Sequence, residues 1–419
     1  MAHLLIIELP GGNDTDIIQA AIDRGDSFTF LTADLALYQK QAAVNDLLML
    51  AHACINVPSF DMQAVKSQVL LLHKTKPFDA VLCLLDIRLI EAATLAQTLG
   101  LHYLNLKSAQ LLRDKFSVRQ RLQEHGIAQL MFALATSNEE LKAAVEQIGL
   151  PILIKPSDGY GSQNIVILEH EDDLAPWMSP LEDMLPSRAD YGLGVKANDR
   201  LLVEQYMTGV VIGCDTLTQN GQHTLMGVNE KLFFEPPSFA IRGGCFMPNK
   251  GQFKAIETYV FTLLDAVGFD CGATHIELML NEKGLSLVEI NPRLVGAKIP
   301  RLINLACKRS IHSDLIDVHL GQAVAPFTEA SEVAVTRWLV AEQTARLAKV
   351  NLPKSEDPRI ACVEILKCDG DLVRPPMENA DRIGYVMTCA KTRNEADEAA
   401  EDFIQNSVIS YLDTTANLD

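Results

Sequence analysis

Short apolar runs and helically spaced segments alternate over the first hundred residues of the chain. Residues 4–8 and 80–85 are apolar runs that suit buried strands, and residues 27–31 are rich in β-forming side chains. Residues 15–24 and 89–99 repeat their apolar positions at helical spacing. This alternation is typical of a parallel sheet with helices on both faces, so an α/β fold is predicted.

The pattern changes further along the chain. Helices are predicted for residues 108–124, with Ser108 as the N-cap, and for residues 138–148. Residues 171–200 are polar and poorly periodic, and we interpret them as a mobile insertion. After Leu201 the pattern favours strands and hairpins.

Length and composition limit the class of protein. A chain of 419 residues is too long for one ordinary core, so two or three domains are expected. The net charge of −18 argues against nucleic acid as a partner. No apolar run reaches the roughly 18 residues of a membrane span. The nine cysteines form no CxxC pair and the start of the chain lacks a signal pattern, so buried reduced thiols and a cytoplasmic location are expected.

A lysine at the end of a strand precedes a glycine-containing loop. Lys155 can reach a phosphate group, and the glycines let backbone amides turn towards phosphate oxygens. The alternative is a glycine turn with an exposed lysine and no ligand. The loop positions of interest are Asp158, Gly159, Tyr160, Gly161 and Ser162.

Two segments with period-two alternation, residues 274–280 and 285–293, predict a β-hairpin. We expect the loop to consist of residues 282–284, with glycine in the left-handed conformation. That register pairs Asn281 with Leu285, Glu277 with Glu289, and His275 with Asn291.

The paired carboxylates of this hairpin predict a cation site. Glu277 and Glu289 repel each other unless a hard divalent cation, shared with phosphate oxygens, lies between them. Arg293, two residues beyond Asn291, is placed to bind a phosphate. The alternatives are a solvent-facing hairpin whose glutamates splay apart and a strand-ending turn with a surface arginine.

Other positions are candidates for contacts with the base and the substrate. The strand that ends in Glu204, Gln205, Tyr206 and Met207 suits an adenine ring, although it also suits a core strand. Substrate candidates are Arg242, Gly243, His275 and Arg301; the arginines are equally typical of a surface, and His275 of a filled strand face.

Taken in order, these segments resemble the ATP-grasp superfamily, from about Lys115 to Gly321. The runs at 272–277 and 287–296 are similar to the L-amino-acid ligase and carboxylate–amine ligase branch. The resemblance implies an α/β ATP-grasp fold with an N-terminal Rossmann-like domain, a mobile lid subdomain and a C-terminal α+β domain. The implied boundaries are residues 1–110, 111–200 and 201–419.

The resemblance also implies roles for individual residues. Family members usually carry an acidic ribose-binding residue where this chain has Val211, and the nearby Asp215 would partly compensate as a ribose ligand. The nucleotide phosphates would be held by Lys115, Lys155 and the loop from Asp158 to Ser162, and the adenine by Glu204 to Met207. Two Mg²⁺ ions, with Mn²⁺ as an alternative, would be bound by Glu277, Glu289 and Asn291. Catalysis would depend on Arg293 together with Lys155.

The function implied is that of an ATP-dependent ligase. It would activate a carboxylate, expected to be that of an amino acid, as an acyl phosphate and condense it with an amine, releasing ADP and phosphate. Its partners would be these small molecules, with neither nucleic acid nor membrane, and a homodimer is expected by analogy only. A biotin-carboxylase-like or purine-biosynthesis-type ligase and a non-catalytic nucleotide-binding protein remain alternatives.

Overall fold

We describe a computed structural model of the chain, for residues 1–12, 14–159, 165–170, 193–195, 198–235, 238, 240–296, 298–327 and 332–412. The first part of the chain is the predicted parallel sheet, with strand order β3-β2-β1-β4. Its apolar strand residues pack against helices on both faces. The elements are β1 (His3–Ile7), α1 (Asp16–Asp23), β2 (Ser27–Thr32), α2 (Leu35–Gln39), α3 (Ala42–Leu48), β3 (Ala53–Asn56), α4 (Met62–Thr75), β4 (Ala80–Cys83) and α5 (Leu89–Leu99).

A small four-stranded antiparallel sheet follows, in the order β5-β8-β6-β7. One helix packs on it and forms a separate core with its strands. The predicted insertion at 171–200 lies almost wholly outside the described residues. The elements are α6 (Leu106–Leu112), α7 (Lys115–Glu124), β5 (Phe132–Ala135), α8 (Asn138–Ile148), β6 (Ile152–Pro156), β7 (Val166–Leu168) and β8 (Leu201–Gln205).

The predicted helix over 108–124 is wrong, because the chain forms two helices there. Asn105 caps the first, and Ser108 instead lies inside that helix and donates a hydrogen bond to the Val267 carbonyl. The second begins after Asp114, whose carboxylate accepts from the Ser117 amide at 2.7 Å. The helix breaks because the Lys115 amide donates to the Ser157 carbonyl instead of continuing the first helix.

An eight-stranded antiparallel sheet, in the order β13-β12-β9-β10-β11-β14-β18-β16, forms most of the remaining chain. A three-stranded sheet, β17-β15-β19, lies beside it. The elements are β9 (Val210–Gln219), β10 (Gln222–Phe233), β11 (Ile241–Pro248), α9 (Lys254–Ala266), β12 (Cys271–Asn281), β13 (Gly284–Asn291), α10 (Ile299–Cys307), α11 (Ile311–His319), β14 (Val333–Leu339), β15 (Ala345–Asn351), β16 (Ile360–Ile365), β17 (Leu372–Val373), β18 (Gly384–Ala390), α12 (Arg393–Gln405) and β19 (Val408–Tyr411).

One hydrophobic core connects distant parts of the sequence. It joins Leu4 and Phe30 of the N-terminal sheet to Ile299 of α10 and to Tyr385 of β18. The nine cysteines are all free thiols, but Cys54 and Cys368 are exposed, so the expectation of buried thiols is wrong for these two. Within the described ranges, no helix is both long and apolar enough to cross a membrane.

Candidate active site

Four neighbouring strands of the large sheet carry polar residues on one face. The register places Glu289, Glu277, Gly213 and Asn229 side by side across β13, β12, β9 and β10. Neighbouring positions on these strands alternate between the two faces of the sheet. The next row on the same face is Asn291, His275 and Asp215.

The opposite face of these strands is apolar. Ile276, Ile290, Cys214 and Val228 are buried there in a core with residues of α7 and α9. Burial of one face fixes the register, because a slip by one residue would move the apolar side chains to the polar face. The sheet therefore holds the polar residues in fixed positions.

The hairpin that carries both glutamates has the predicted carboxylate register but not the predicted loop. Asn281 pairs with Gly284, so the loop contains only two residues, and the expected pairing of Asn281 with Leu285 is wrong. A β-bulge at Val288 supplies the compensating residue. The confirmed pairs are Glu277 with Glu289 and His275 with Asn291.

Each of the two paired carboxylates lies beside a lysine. Lys231 Nζ is 2.8 Å from Glu277 Oε1, and Lys115 Nζ is 3.1 Å from Glu289 Oε1. Burial alone would raise the pKa of Glu277, but contact with His275 and the charge of Lys231 hold it well below its usual range. Sequence reasoning missed Lys231, whose place two residues after Asn229 on a strand was its only signal.

His275 lies behind Glu277 in a buried polar group. Its Nδ1 donates to Asp215 Oδ1 at 2.9 Å, and Asn229 Nδ2 donates to Asp215 Oδ2 at 2.5 Å. Burial disfavours the charged ring, but the Asp215 carboxylate outweighs this and raises the pKa of His275. Both oxygens of Asp215, proposed above as a substitute ribose ligand, are thus bonded within the sheet.

Lys155 and the predicted hinge meet through a buried ion-pair group. Glu204 accepts from Lys155 Nζ and from Arg119 Nε, each at 2.6 Å. Burial would raise the pKa of Glu204, but the two cations lower it to about 2. Arg119 also donates to the carbonyl of the bulge residue Val288 at 3.1 Å, so the group reaches the hairpin.

The rest of the predicted hinge follows β8. The Gln205 amide donates to the Met131 carbonyl at 2.9 Å, and the Tyr206 amide to the Pro151 carbonyl at 3.0 Å. Met207 Sδ is 3.8 Å from the side-chain nitrogen of Asn281, at the tip of the hairpin. The hinge and the hairpin are therefore in contact.

The described start of the glycine loop lies beside Lys115. Lys115 Nζ donates to the Gly159 carbonyl, and Arg113 donates to the Asp158 carbonyl at 2.9 Å. The remaining loop candidates, Tyr160, Gly161 and Ser162, lie outside the described residues.

Arg293 reaches from the end of the hairpin to the N-terminal sheet. Its Nε donates to Asp86 Oδ2 at 2.6 Å, and its Nη1 to the Leu294 carbonyl at 2.9 Å. Burial disfavours the charged guanidinium, but the charge of Asp86 raises the pKa of Arg293. Asp86 is 4% exposed and follows β4. Only tertiary structure shows this pairing, because the partners lie 207 positions apart.

The other substrate candidates have partners elsewhere. Arg242 pairs with Glu401 of α12 at 2.7 Å, and its neighbour Gly243 packs against Arg337. Arg301 forms two bonds to Asp16 of α1, at 2.9 and 3.0 Å. These contacts connect β11 to α12 and α10 to α1. The metal candidates and the described nucleotide candidates Lys115, Lys155 and Glu204 lie instead around the hairpin.

The chemistry of the hairpin face fits magnesium. Carboxylate and amide oxygens are hard ligands, and Glu277, Glu289 and Asn291 offer them on one face. The lysines beside the two glutamates show that this face favours positive charge. Among the described residues there is no cluster of three or more His, Cys, Asp or Glu that could hold a metal.

Comparison with known proteins agrees with this geometry. Residues 148–300 match the ATP-grasp domain. Residues 337–410 match the L-amino acid ligase C-terminal domain 2. The chain is therefore similar to ATP-grasp proteins over residues 148–300 and to L-amino acid ligases over residues 337–410, as its sequence motifs predict.

The chain is also similar to individual proteins and to solved structures. The chain is 22% identical to the L-arginine-specific L-amino acid ligase of Bacillus subtilis, over 80% of this chain and 81% of that protein. It is 26% identical to the uncharacterized protein y4rH of Sinorhizobium fredii, over 70% of this chain but only 60% of that longer protein. The crystal structure of an L-amino acid ligase from Bacillus licheniformis superposes with a TM-score of 0.77 at 18% identity, covering 99% of both chains.

Proposed function

We propose that this protein is an ATP- and magnesium-dependent ligase that joins a carboxylic acid to an amine. The observation that carries the proposal is the pairing of Glu277 with Glu289 on a polar sheet face, each beside a lysine. Opposed carboxylates in such a place are costly unless cations bind them. A site for Mg²⁺ and nucleotide phosphates gives this arrangement a purpose.

Glu277, Glu289 and Asn291 would hold the magnesium, which, when bound, neutralises phosphate charge. Lys115 and Lys155 would bind the phosphates of ATP, and Arg293 would bind the phosphoryl group during its transfer. Lys115 and Lys231 are now paired with the glutamates, and they would turn to phosphate or substrate oxygens when metal occupies the carboxylates.

The reaction follows from the weakness of a carboxylate as an acyl donor. A carboxylate oxygen attacks the γ-phosphorus of ATP, the bond to ADP breaks, and an acyl phosphate forms. The amine nitrogen then attacks the acyl carbon, loses a proton, and expels phosphate to leave an amide. We propose an amino acid as the acid, because the C-terminal domain and the Bacillus subtilis relative are of the L-amino acid ligase type.

The first test measures phosphate release from ATP and Mg²⁺ against single and paired amino acids. Release that requires both an acid and an amine is expected, because each reactant enters a separate step. Glu289→Ala should abolish it through loss of a metal ligand. Glu282→Ala is the matched control, since Glu282 is exposed at the tip of the same hairpin and should retain activity.

Two outcomes would contradict the proposal. Unchanged release in Glu289→Ala would remove the hairpin from the chemistry. Release that depends on bicarbonate or a ribosyl amine, and on no amino acid, would instead indicate a biotin-carboxylase-like or purine-biosynthesis-type ligase.

A further inference from the structure

Only one of the two nitrogens of the His275 imidazole, Nδ1, is hydrogen-bonded. His275 is 3% exposed, and its Nδ1 donates to Asp215 Oδ1 at 2.9 Å. Asn229 in turn holds the second oxygen of Asp215, so the carboxylate has no freedom to rotate away. The plane of the ring is thereby set by residues on two neighbouring strands.

The sheet also leaves the ring no space to move sideways. Gly213 lies directly opposite Glu277 on β9, and a Cβ atom there would be only 2.5 Å from His275 Cε1 and from the Asn229 side-chain amide. Real Cβ atoms do not approach so closely, so the ring and the amide occupy the space that a larger residue would need.

The other nitrogen of the ring faces Glu277. His275 Nε2 is 3.4 Å from Glu277 Oε1, is buried, and makes no hydrogen bond. Lys231 approaches the same carboxylate oxygen at 2.8 Å. Two groups therefore converge on Oε1, and neither is bonded to Oε2 of the same side chain.

We propose that His275 is a positioning residue for Glu277. The side chains of Asn229, Asp215 and His275 contact one another in series, and through them the sheet orients the Glu277 carboxylate so that Oε2 is free to bind a divalent cation. This inference rests on the proposed function, because it assumes that Glu277 is a metal ligand. It differs from the role of a substrate contact, since a ring bonded to Asp215 and facing Glu277 acts on metal binding before it acts on substrate.

The test uses Mn²⁺ as the probe, with ADP present, and counts free and bound Mn²⁺ by electron paramagnetic resonance. His275→Asn keeps a donor near the Nδ1 position for Asp215 but no longer reaches Glu277. We expect it to weaken Mn²⁺ binding about 10- to 100-fold, the usual effect of losing a partner that orients a metal ligand. His275→Gln, whose amide extends to the Nε2 position, should recover part of the loss.

The matched control is His223→Asn. His223 also bonds to an aspartate, Asp265, at 3.2 Å, but it lies at the far end of β10 and should leave Mn²⁺ binding unchanged. Thermal melting of each variant separates a folding defect from a binding defect. If His275→Asn does not fold, the folded His275→Gln protein still decides, because weakened Mn²⁺ binding in it would support the positioning role and normal binding would overturn that role.

The outcomes separate the two proposals. Normal Mn²⁺ binding in Glu289→Ala would overturn the proposed metal site itself. Weak binding in Glu289→Ala with normal binding in folded His275→Asn would overturn only the positioning role. A His275→Asn protein with a raised KM for the amino acid and unchanged Mn²⁺ binding would make His275 a substrate residue, which also overturns this inference.

Discussion

Glu204 shows how single residues hold charge inside this protein. Its carboxylate is buried, and two cations, Lys155 and Arg119, share its oxygens at 2.6 Å each. A buried carboxylate that keeps such partners remains ionised, whereas its removal leaves two cations without a counter-charge. The ordinary pKa of 4.5 falls to about 2 for this reason.

We therefore expect Glu204→Gln to lower the free energy of unfolding at pH 7 by about 3 to 5 kcal/mol. Because the pKa is lowered on folding, the stabilisation is present above pH 4.5 and is lost as the pH falls towards 2. Urea unfolding between pH 7 and pH 3 measures the free energy of unfolding of both proteins. The difference in this free energy between the original protein and Glu204→Gln should become smaller at low pH. Exposed Glu124→Gln is the control, with an expected cost of about 0.5 kcal/mol or less. If the difference in free energy of unfolding stays constant with pH, the ion pairs of Glu204 are not its cause.

The sequence predicts residues whose partners are near in the chain. Glu277 and Glu289 are joined by a short hairpin, so alternation and a turn signal are enough to place them opposite each other. Lys231 and Asp86 were not predicted, because Glu277 lies 46 positions from the first and Arg293 lies 207 positions from the second. No local pattern records such distances.

At the scale of elements, the bulge in β13 decides which side chains face the site. Leu287 lies in the apolar core while Glu289 faces the polar side, although two residues apart on a regular strand would share a face. The extra residue, Val288, makes this change of face. A sequence pattern predicts well which side chains of a strand share a face, but it does not show whether an extra residue lies in the loop or in the strand. For this reason the predicted three-residue loop is wrong although the predicted pairing of the two carboxylates is correct.

Deletion of Val288 tests this account. With the bulge removed, either Leu287 leaves the core or Glu289 and Asn291 turn away from the polar face. We expect the deleted protein to lose ATP-dependent phosphate release and Mn²⁺ binding. Val288→Ala keeps the residue count and should retain both. An active deletion variant would show that the bulge does not set the orientation of Glu289.

The whole molecule contains cores of different connectivity. One core joins the N-terminal sheet to β18 and α10, across the proposed boundary at residue 110. The small sheet of β5 to β8 and helix α8 has a core of its own, with buried residues such as Leu141, Ile152 and Val203. The parallel sheet was predictable from local alternation, whereas the order of the eight strands was not, because it depends on pairings between distant segments.

We expect the small sheet of β5 to β8, together with helix α8, to unfold locally more readily than the rest of the protein. Fewer buried apolar residues hold it, so its amides should open with a lower free energy than those of the shared core. Hydrogen exchange followed by mass spectrometry should show faster exchange in α8 and β6 than in β1 and β12. Equal protection in all four elements would mean that the protein opens as one unit.

The bond between Arg293 and Asp86 has a consequence for recombining this protein with its relatives. Part of the proposed catalytic apparatus is held by a residue near the end of the N-terminal sheet, and Arg301 depends in the same way on Asp16. A chimera that exchanges residues 1–110 therefore replaces the anchors of two arginines along with the sheet. Only relatives with acidic residues at the positions of Asp16 and Asp86 could supply residues 1–110 and keep these arginines in place. The segment that can be exchanged is therefore defined by two ion pairs rather than by a domain boundary.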